Sequence, residues 1–303
     1  MPYIKHTSDF SKFRLLISGF SNSGKTRSAQ TFIYGSHDYF DPDSQEAAIE
    51  YASDCHMVII ECPGEVGHRS LPPDTPHITS YYYETSEGEN VTDAKWSKEA
   101  LQQFDAVYKE ATAFDKPDIL FIDGLHELWK HLMNRATLGD YLAGVDLNLN
   151  PNTGNNDPYR SAKFYNQTHN AFGQYLAALY HSSIPLIVCT TWEEWESGRI
   201  GESERQQGIQ AQKYLWPAIP GTMAKGVVGR FDGRVSARLE KRCLHKDCSD
   251  MKENIDHYVW QFLPKNDVMG VGIKGLKVNK AMSERPWIHQ DWSKLQQLIK
   301  QFS

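Results

Sequence analysis

Short, mostly apolar runs at 13–17 (interrupted by Arg14), 57–60, 119–122 and 186–188 punctuate the first two-thirds of the chain, each with little room for a solvated face. Such runs read as strands buried on both faces, the habit of a parallel sheet. Between them the apolar residues recur at helical spacing. Leu101, Phe104, Val107 and Tyr108 mark one face of a helix over 97–113, and Phe164, Tyr165, Phe172, Tyr175, Leu176 and Leu179 mark a longer one over 161–180. Shorter helices are predicted over 25–34, 47–51 and 128–136. Strand and helix in alternation predict an α/β domain with a mostly parallel central sheet flanked by helices. Past residue 230 the period changes to two. FDGRVSARL at 231–239 alternates as a strand, HYVWQFL at 257–263 is its partner, and the cysteine-bearing segment between them makes a C-terminal antiparallel hairpin extension. A closing helix over 288–302 carries Trp292, Leu295, Leu298 and Ile299 on one side. The turn-rich stretches 37–46, 66–93, 147–157 and 192–212 read as loops, the second with room for an edge strand. The expected organisation is a core over 1–222 and a C-terminal part of the same domain over 223–303.

The first strand runs into Gly19-Phe20-Ser21-Asn22-Ser23-Gly24-Lys25-Thr26, which fits the phosphate-loop pattern G-x-x-x-x-G-K-[ST]. The chemistry depends on what surrounds the match. Ser21, Asn22, Ser23 and Gly24 are small or turn-tolerant, so their N–H groups can converge on phosphate oxygens at the start of the following helix, with Arg27 next in line. Lys25 would reach the β- and γ-phosphates, and the Thr26 hydroxyl would hold Mg²⁺. The strand DILFID ends in Asp123, a carboxylate at a central strand tip, where it would hold the Mg²⁺ shell. Strand and loop together make this a nucleoside triphosphate site, with ATP and Mg²⁺ as the expected ligands. The later strand ends in Cys189-Thr190-Thr191, and ligands sit at such tips in open α/β sheets.

Charge and cysteines narrow the setting. Five cysteines, an odd number, argue against a disulfide framework and for a reducing compartment. No run of 18 apolar residues exists, and the start of the chain leads straight into the phosphate loop without a signal-peptide pattern, so a cytoplasmic protein, host cytoplasm if viral, is expected. Cys243, His245 and Cys248 approach metal-ligand spacing but lack a second cysteine pair, so a polar hairpin tip is the stronger reading. The net charge is −6, yet residues 223–285 hold 13 Lys and Arg against 8 Asp and Glu. A basic region on an acidic protein admits a polyanion partner that the net charge alone would argue against.

The order of GFSNSGKT, VIIECPGE, ILFIDG, LIVCTT, PAIPGTMAKGVVGRFDGRV and RPWIHQDWSKLQQLIKQF resembles the phage-type RecA-like P-loop ATPases, nucleotide-binding proteins related to the RecA and Rad51 single-strand annealing ATPases. That resemblance spans most of residues 13–302, and its first and third motifs are specific. It implies a RecA-like fold in which the water-activating glutamate ends the strand after the phosphate-loop helix, here Glu61, with Glu65 four residues on. It also implies that Thr191 senses the γ-phosphate, although the histidine or glutamine often found at that tip is missing. The implied assembly is a homo-oligomer with an intersubunit ATP site, completed by a neighbour's Arg230, Lys265, Lys274 or Lys277. Single-stranded DNA is the implied partner, in recombination, annealing or replication. Residues 140–158 and 195–212, the basic region, Trp192, Trp195 and the Tyr81-Tyr82-Tyr83 run are the surfaces that would meet it. A viral DNA-packaging motor is a second reading, against which Gly124 speaks by standing where such motors carry a glutamate. A nucleotide switch with little hydrolysis is a third. A small-molecule kinase would need a basic lid, and no arginine cluster follows the middle strands.

Overall fold

A computed structural model of the chain describes residues 12–52, 54–83, 94–113, 116–142, 158–197, 213–219, 222–240, 257–264, 271–284 and 286–302. In the ten-stranded sheet, β1 (Phe13–Gly19) lies between β5 (Leu186–Ser197) and β7 (Gly233–Glu240), parallel to both. Beyond β5 come β4 (Ile119–Asp123), β2 (Met57–Glu61) and the edge strand β3 (Ile78–Tyr81), all parallel. Beyond β7 the sheet turns antiparallel through β8 (His257–Gln261) and β10 (Trp287–His289). The short strand β9 (Gly272–Ile273) also pairs with β7. The chain is therefore mixed α/β with a mostly parallel sheet, and its last third joins that sheet next to the first strand.

Alternation along the strands divides the core into two layers. Leu15, Ile17, Met57, Ile59, Phe121 and Val188 face one side, with Phe32 of α1 (Thr31–Tyr34) and Trp292, Leu295 and Ile299 of the closing helix. That helix spans Trp292–Phe302, and the rings of Phe32 and Trp292 stack at 5.2 Å. Leu16, Val58, Ile60, Leu120, Ile122 and Ile187 face the other side. There they meet α3 (Ala94–Ala113), α4 (Leu125–Leu142) and α5 (Pro158–His181) through Leu101, Phe104, Leu128, Trp129, Phe172 and Leu176. The buried Arg14 donates to the carbonyls of Leu179, Ser182 and Ile184, which ties β1 to the end of α5.

Four segments depart from the sequence reading. Residues 288 and 289, expected in the closing helix, belong to β10, and that helix begins at Trp292. The helix after the phosphate loop is a 3-10 turn, Arg27–Gln30, passing into the four-residue α1 that stops at Gly35. The stretch expected as a loop from residue 192 continues β5 to Ser197 and pairs antiparallel with β6 (Lys213–Pro217). Its polarity is explained by Glu193, whose buried carboxylate accepts from Ser18 Oγ at 2.7 Å, Arg234 at 2.8 Å and Ser236 Oγ at 2.9 Å. A helix, α6 (Thr222–Arg230), leads into β7 where none was expected. The segment 241–256, with Cys243, His245 and Cys248, lies outside the described residues.

Candidate functional site

β1 delivers Gly19 to the carboxyl edge of the sheet at the point where its two neighbours lead away in opposite directions, the crevice in which α/β sheets bind ligands. Asn22 (φ 60°) and Gly24 (φ 82°) adopt left-handed conformations, which turns the amides of the loop inward as an anion nest. The far wall of the loop comes from the other end of the chain. A Cβ on Gly24 would stand 2.7 Å from both Gln290 Oε1 and Tyr258 Cδ1. Gln290 Nε2 donates to Ser23 O at 2.6 Å and to Val259 O at 3.3 Å. Lys25 is buried, and its ammonium donates to Gly19 O at 3.0 Å and Phe20 O at 2.7 Å. Burial pulls its titration down, while Asp123, Glu65 and Glu193 pull it back up.

Facing the loop are the tips of β4 and β2. Thr26 Oγ1 donates to Asp123 Oδ2 at 2.7 Å, and Thr190 Oγ1 donates to Asp123 Oδ1 while accepting from the Gly124 amide at 2.9 Å. Thr26 and Asp123 are hard oxygen donors on opposite sides of the cleft, and two such ligands plus phosphate oxygens and water match what Mg²⁺ takes. Among the described residues no three His, Cys, Asp or Glu side chains cluster as a metal cage. Strand alternation assigns the nucleotide face to Thr190, whereas Thr191 faces the opposite layer, fully buried, its Oγ1 without a partner. Of the two threonines, Thr190 is thus the one that touches Asp123.

The two candidate glutamates part company. Glu61 stands beside Asp123 in register and is 3% exposed beneath the turn Gly67–Ser70, with the His68 ring Nδ1 at 3.5 Å. Burial and then Asp123 push its carboxyl up to about 8, and the amides of Gly67 and His68 offset part of that without closing to ordinary hydrogen bonds. Glu65 lines the cavity of about 400 Å³ that Ser21, Asn22, Ser23, Gly24, Lys25, Thr26, Arg27 and Asp123 also line, and Glu61 does not. Burial, Asp123 and Glu127 raise Glu65 to about 8, against the pull of Lys25. Gly124 makes room for it. At φ 94°, a Cβ there would stand 2.7 Å from Glu65 Oε1. The space a side chain would fill after Asp123 is thus occupied by Glu65, from the loop that follows β2.

A second cavity of about 420 Å³ adjoins the first at Gly24 and Arg27, lined by Asp38, His257, Tyr258, His289, Gln290 and Lys294 among others. Arg27 pairs with Asp38 at its rim. These residues escaped sequence reading because nothing local marks them. Gln290 stands 267 positions from the carbonyl it holds. Of the basic residues implied to act across subunits, Arg230 is exposed at the end of α6. Lys274 donates to Gly229 O at 3.2 Å, and Lys265 lies outside the described residues. Trp192 and Trp195 are 39% and 51% exposed, and Tyr82 stacks on His68. Among the described residues no helix is long and apolar enough to cross a membrane.

No protein-family model matches the chain, and no curated protein matches it. Among solved structures it is similar to the flagellar accessory protein FlaH from Methanocaldococcus jannaschii, at 10% identity and a TM-score of 0.35, over 86% of this chain and 80% of that one. At that score the likeness carries no weight for function, and the architecture stands on its own strand order.

Proposed function

We propose that this protein is a P-loop ATPase that binds ATP with Mg²⁺, hydrolyses it, and couples hydrolysis to single-stranded DNA as a homo-oligomer. The observation that carries the reading is the 2.7 Å bond from Thr26 to Asp123, which joins the phosphate loop to the acidic strand tip beside the buried Lys25. The loop amides and Lys25 would hold the β- and γ-phosphates, with the nucleoside in the adjoining cavity that Arg27 also lines. Thr26 and Asp123 hold the metal. Bound Mg²⁺ supplies neutralisation of charge on the phosphoryl oxygens. Glu65 takes the proton of the attacking water, a role its place in the cavity supports over Glu61, and Thr190 fixes the Asp123 carboxylate. Positioning and electrostatics supply most of the acceleration in such chemistry.

The DNA role is supported by the basic balance of 223–285 and by the exposed Trp192 and Trp195. Residues 1–222 form the nucleotide core in this reading, and 223–303 contribute both the wall of the loop and the basic surface. A second reading is a nucleotide switch with little hydrolysis, in which Glu65, crowded by Asp123 and Glu127 in a buried pocket, stays protonated until a metal enters. The deciding experiment is the ATPase rate with and without single-stranded DNA, beside Lys25→Ala. Hydrolysis that DNA stimulates and the variant abolishes supports the coupled ATPase. Tight ATP binding with negligible turnover under both conditions selects the switch, and activity indifferent to DNA removes the DNA role.

A further inference from the structure

The phosphate-loop chemistry does not call for the side chain that steers Glu65. His126, three residues past Asp123 in the first turn of α4, is 2% exposed. Its Nε2 stands 3.2 Å from Glu65 Oε1 and 3.3 Å from Glu127 Oε1. The ring lies on Trp192, centroids 4.5 Å apart and planes 30° apart. Lys130 pairs with Glu127, and its ammonium sits 5.3 Å from the centre of the same indole. The imidazole is thus fixed on its face by Trp192 and at its edge by Glu127. Glu65 has no other side-chain ion pair or hydrogen bond among the described residues.

We propose that His126 is a positioning residue, whose Nε2 edge, 3.2 Å from Glu65 Oε1 and not yet aligned as a hydrogen bond, keeps the Glu65 carboxyl turned toward the phosphate-loop cavity. The inference rests on the reading of Glu65 as the group that activates water. It follows from a gap in the support of that group. Glu65 ends a short loop whose local tie is its amide to Cys62 O at 3.1 Å, and the glycine beneath it gives space but no grip. A carboxylate on a free rotor spends most of its time misaligned, and a misplacement of about 1 Å costs on the order of 10²-fold in rate. Burial keeps the ring itself neutral near pH 7, so it meets Glu65 with a polar ring edge rather than a full charge. Glu127 is held in its ionised form by His126 and Lys130 despite burial, and stands 3.3 Å from the same ring nitrogen.

The test measures ATP turnover and ATP affinity in the wild type, Lys25→Ala, Glu65→Gln, His126→Phe and His126→Gln. His126→Phe keeps a flat ring against Trp192 and loses the N–H. It is expected to lower kcat about 10–100-fold with the ATP dissociation constant within about 3-fold of wild type. His126→Gln sets an amide N–H where Nε2 stood and is expected to recover most of the loss. Combined with Glu65→Gln, His126→Phe should add nothing, because both act through one carboxylate. Wild-type kcat in His126→Phe, equal losses in Phe and Gln, or losses that multiply in the double variant would each overturn the proposal. Lys25-dependent hydrolysis that Glu65→Gln abolishes and His126→Phe spares brings down this inference alone. Absence of Lys25-dependent hydrolysis in the wild type brings down the reading of the site and this inference with it.

Discussion

At position 124 a side chain would be in the way. The positive φ of Gly124 and the Glu65 carboxyl beside it make Gly124→Ala costly twice over, by about 1–3 kcal/mol for the backbone alone. Urea unfolding should report that loss, and ATP turnover should fall further than stability explains because Glu65 is displaced. Glu65→Gln keeps the shape and removes the base. Its kcat should drop about 10²–10⁴-fold with ATP affinity preserved, while Glu61→Gln, outside the cavity, should lose much less; single-turnover hydrolysis of the pair decides between them. Both carboxyls titrate at about 8, above the ordinary value of 4.5, so the folded protein holds protons that the unfolded chain has released. Their stabilisation is complete at low pH and is lost as pH rises through 8. His126 and His131, lowered by burial, act oppositely and only below about 6.5. Thermal melts of the nucleotide-free protein should therefore fall as pH rises from about 6.5 to about 8 and level off above that, and the Glu61→Gln, Glu65→Gln double variant should flatten that fall. None of this was legible in VIIECPGE, where two glutamates four residues apart look equivalent. The turn at 67–70 that covers one and the glycine that admits the other come from different elements.

β5 shows where reading by pattern succeeds and where it stops. Its first half is a plain apolar run and was legible, as were β1, β2 and β4, because a strand buried on both faces needs no partner to declare itself. Its second half, WEEWES, looks like solvent-facing loop because a buried glutamate is recognisable only once its arginine is known, and Arg234 lies 41 residues on. Glu193 meets that arginine and two serines from β1 and β7 in one buried knot, so it pins three strands together. Glu193→Ala strands the guanidinium and should cost about 3–5 kcal/mol, read as a lower urea midpoint at unchanged slope. Glu193→Gln, which still accepts hydrogen bonds, should cost less.

Across the whole molecule, ligand binding and folding are linked at one loop. MgATP at about 100 times its dissociation constant should stabilise the wild type by about 2.7 kcal/mol, visible as a raised melting temperature, and Lys25→Ala should show no gain at the same concentration. The phosphate loop and the acidic strand tip could be read from eight and six consecutive letters, because their chemistry is local. The walls could not, since the sheet brings β8 and β10 to the loop from more than two hundred residues away. That distance has a consequence in time. A growing chain carries the complete GFSNSGKT motif long before the glutamine that clasps Ser23, which follows 267 residues later. At about 5–20 residues per second the motif waits tens of seconds for its mould, and a ribosome-bound chain that stops short of Gln290 has the letters of a nucleotide site without its shape.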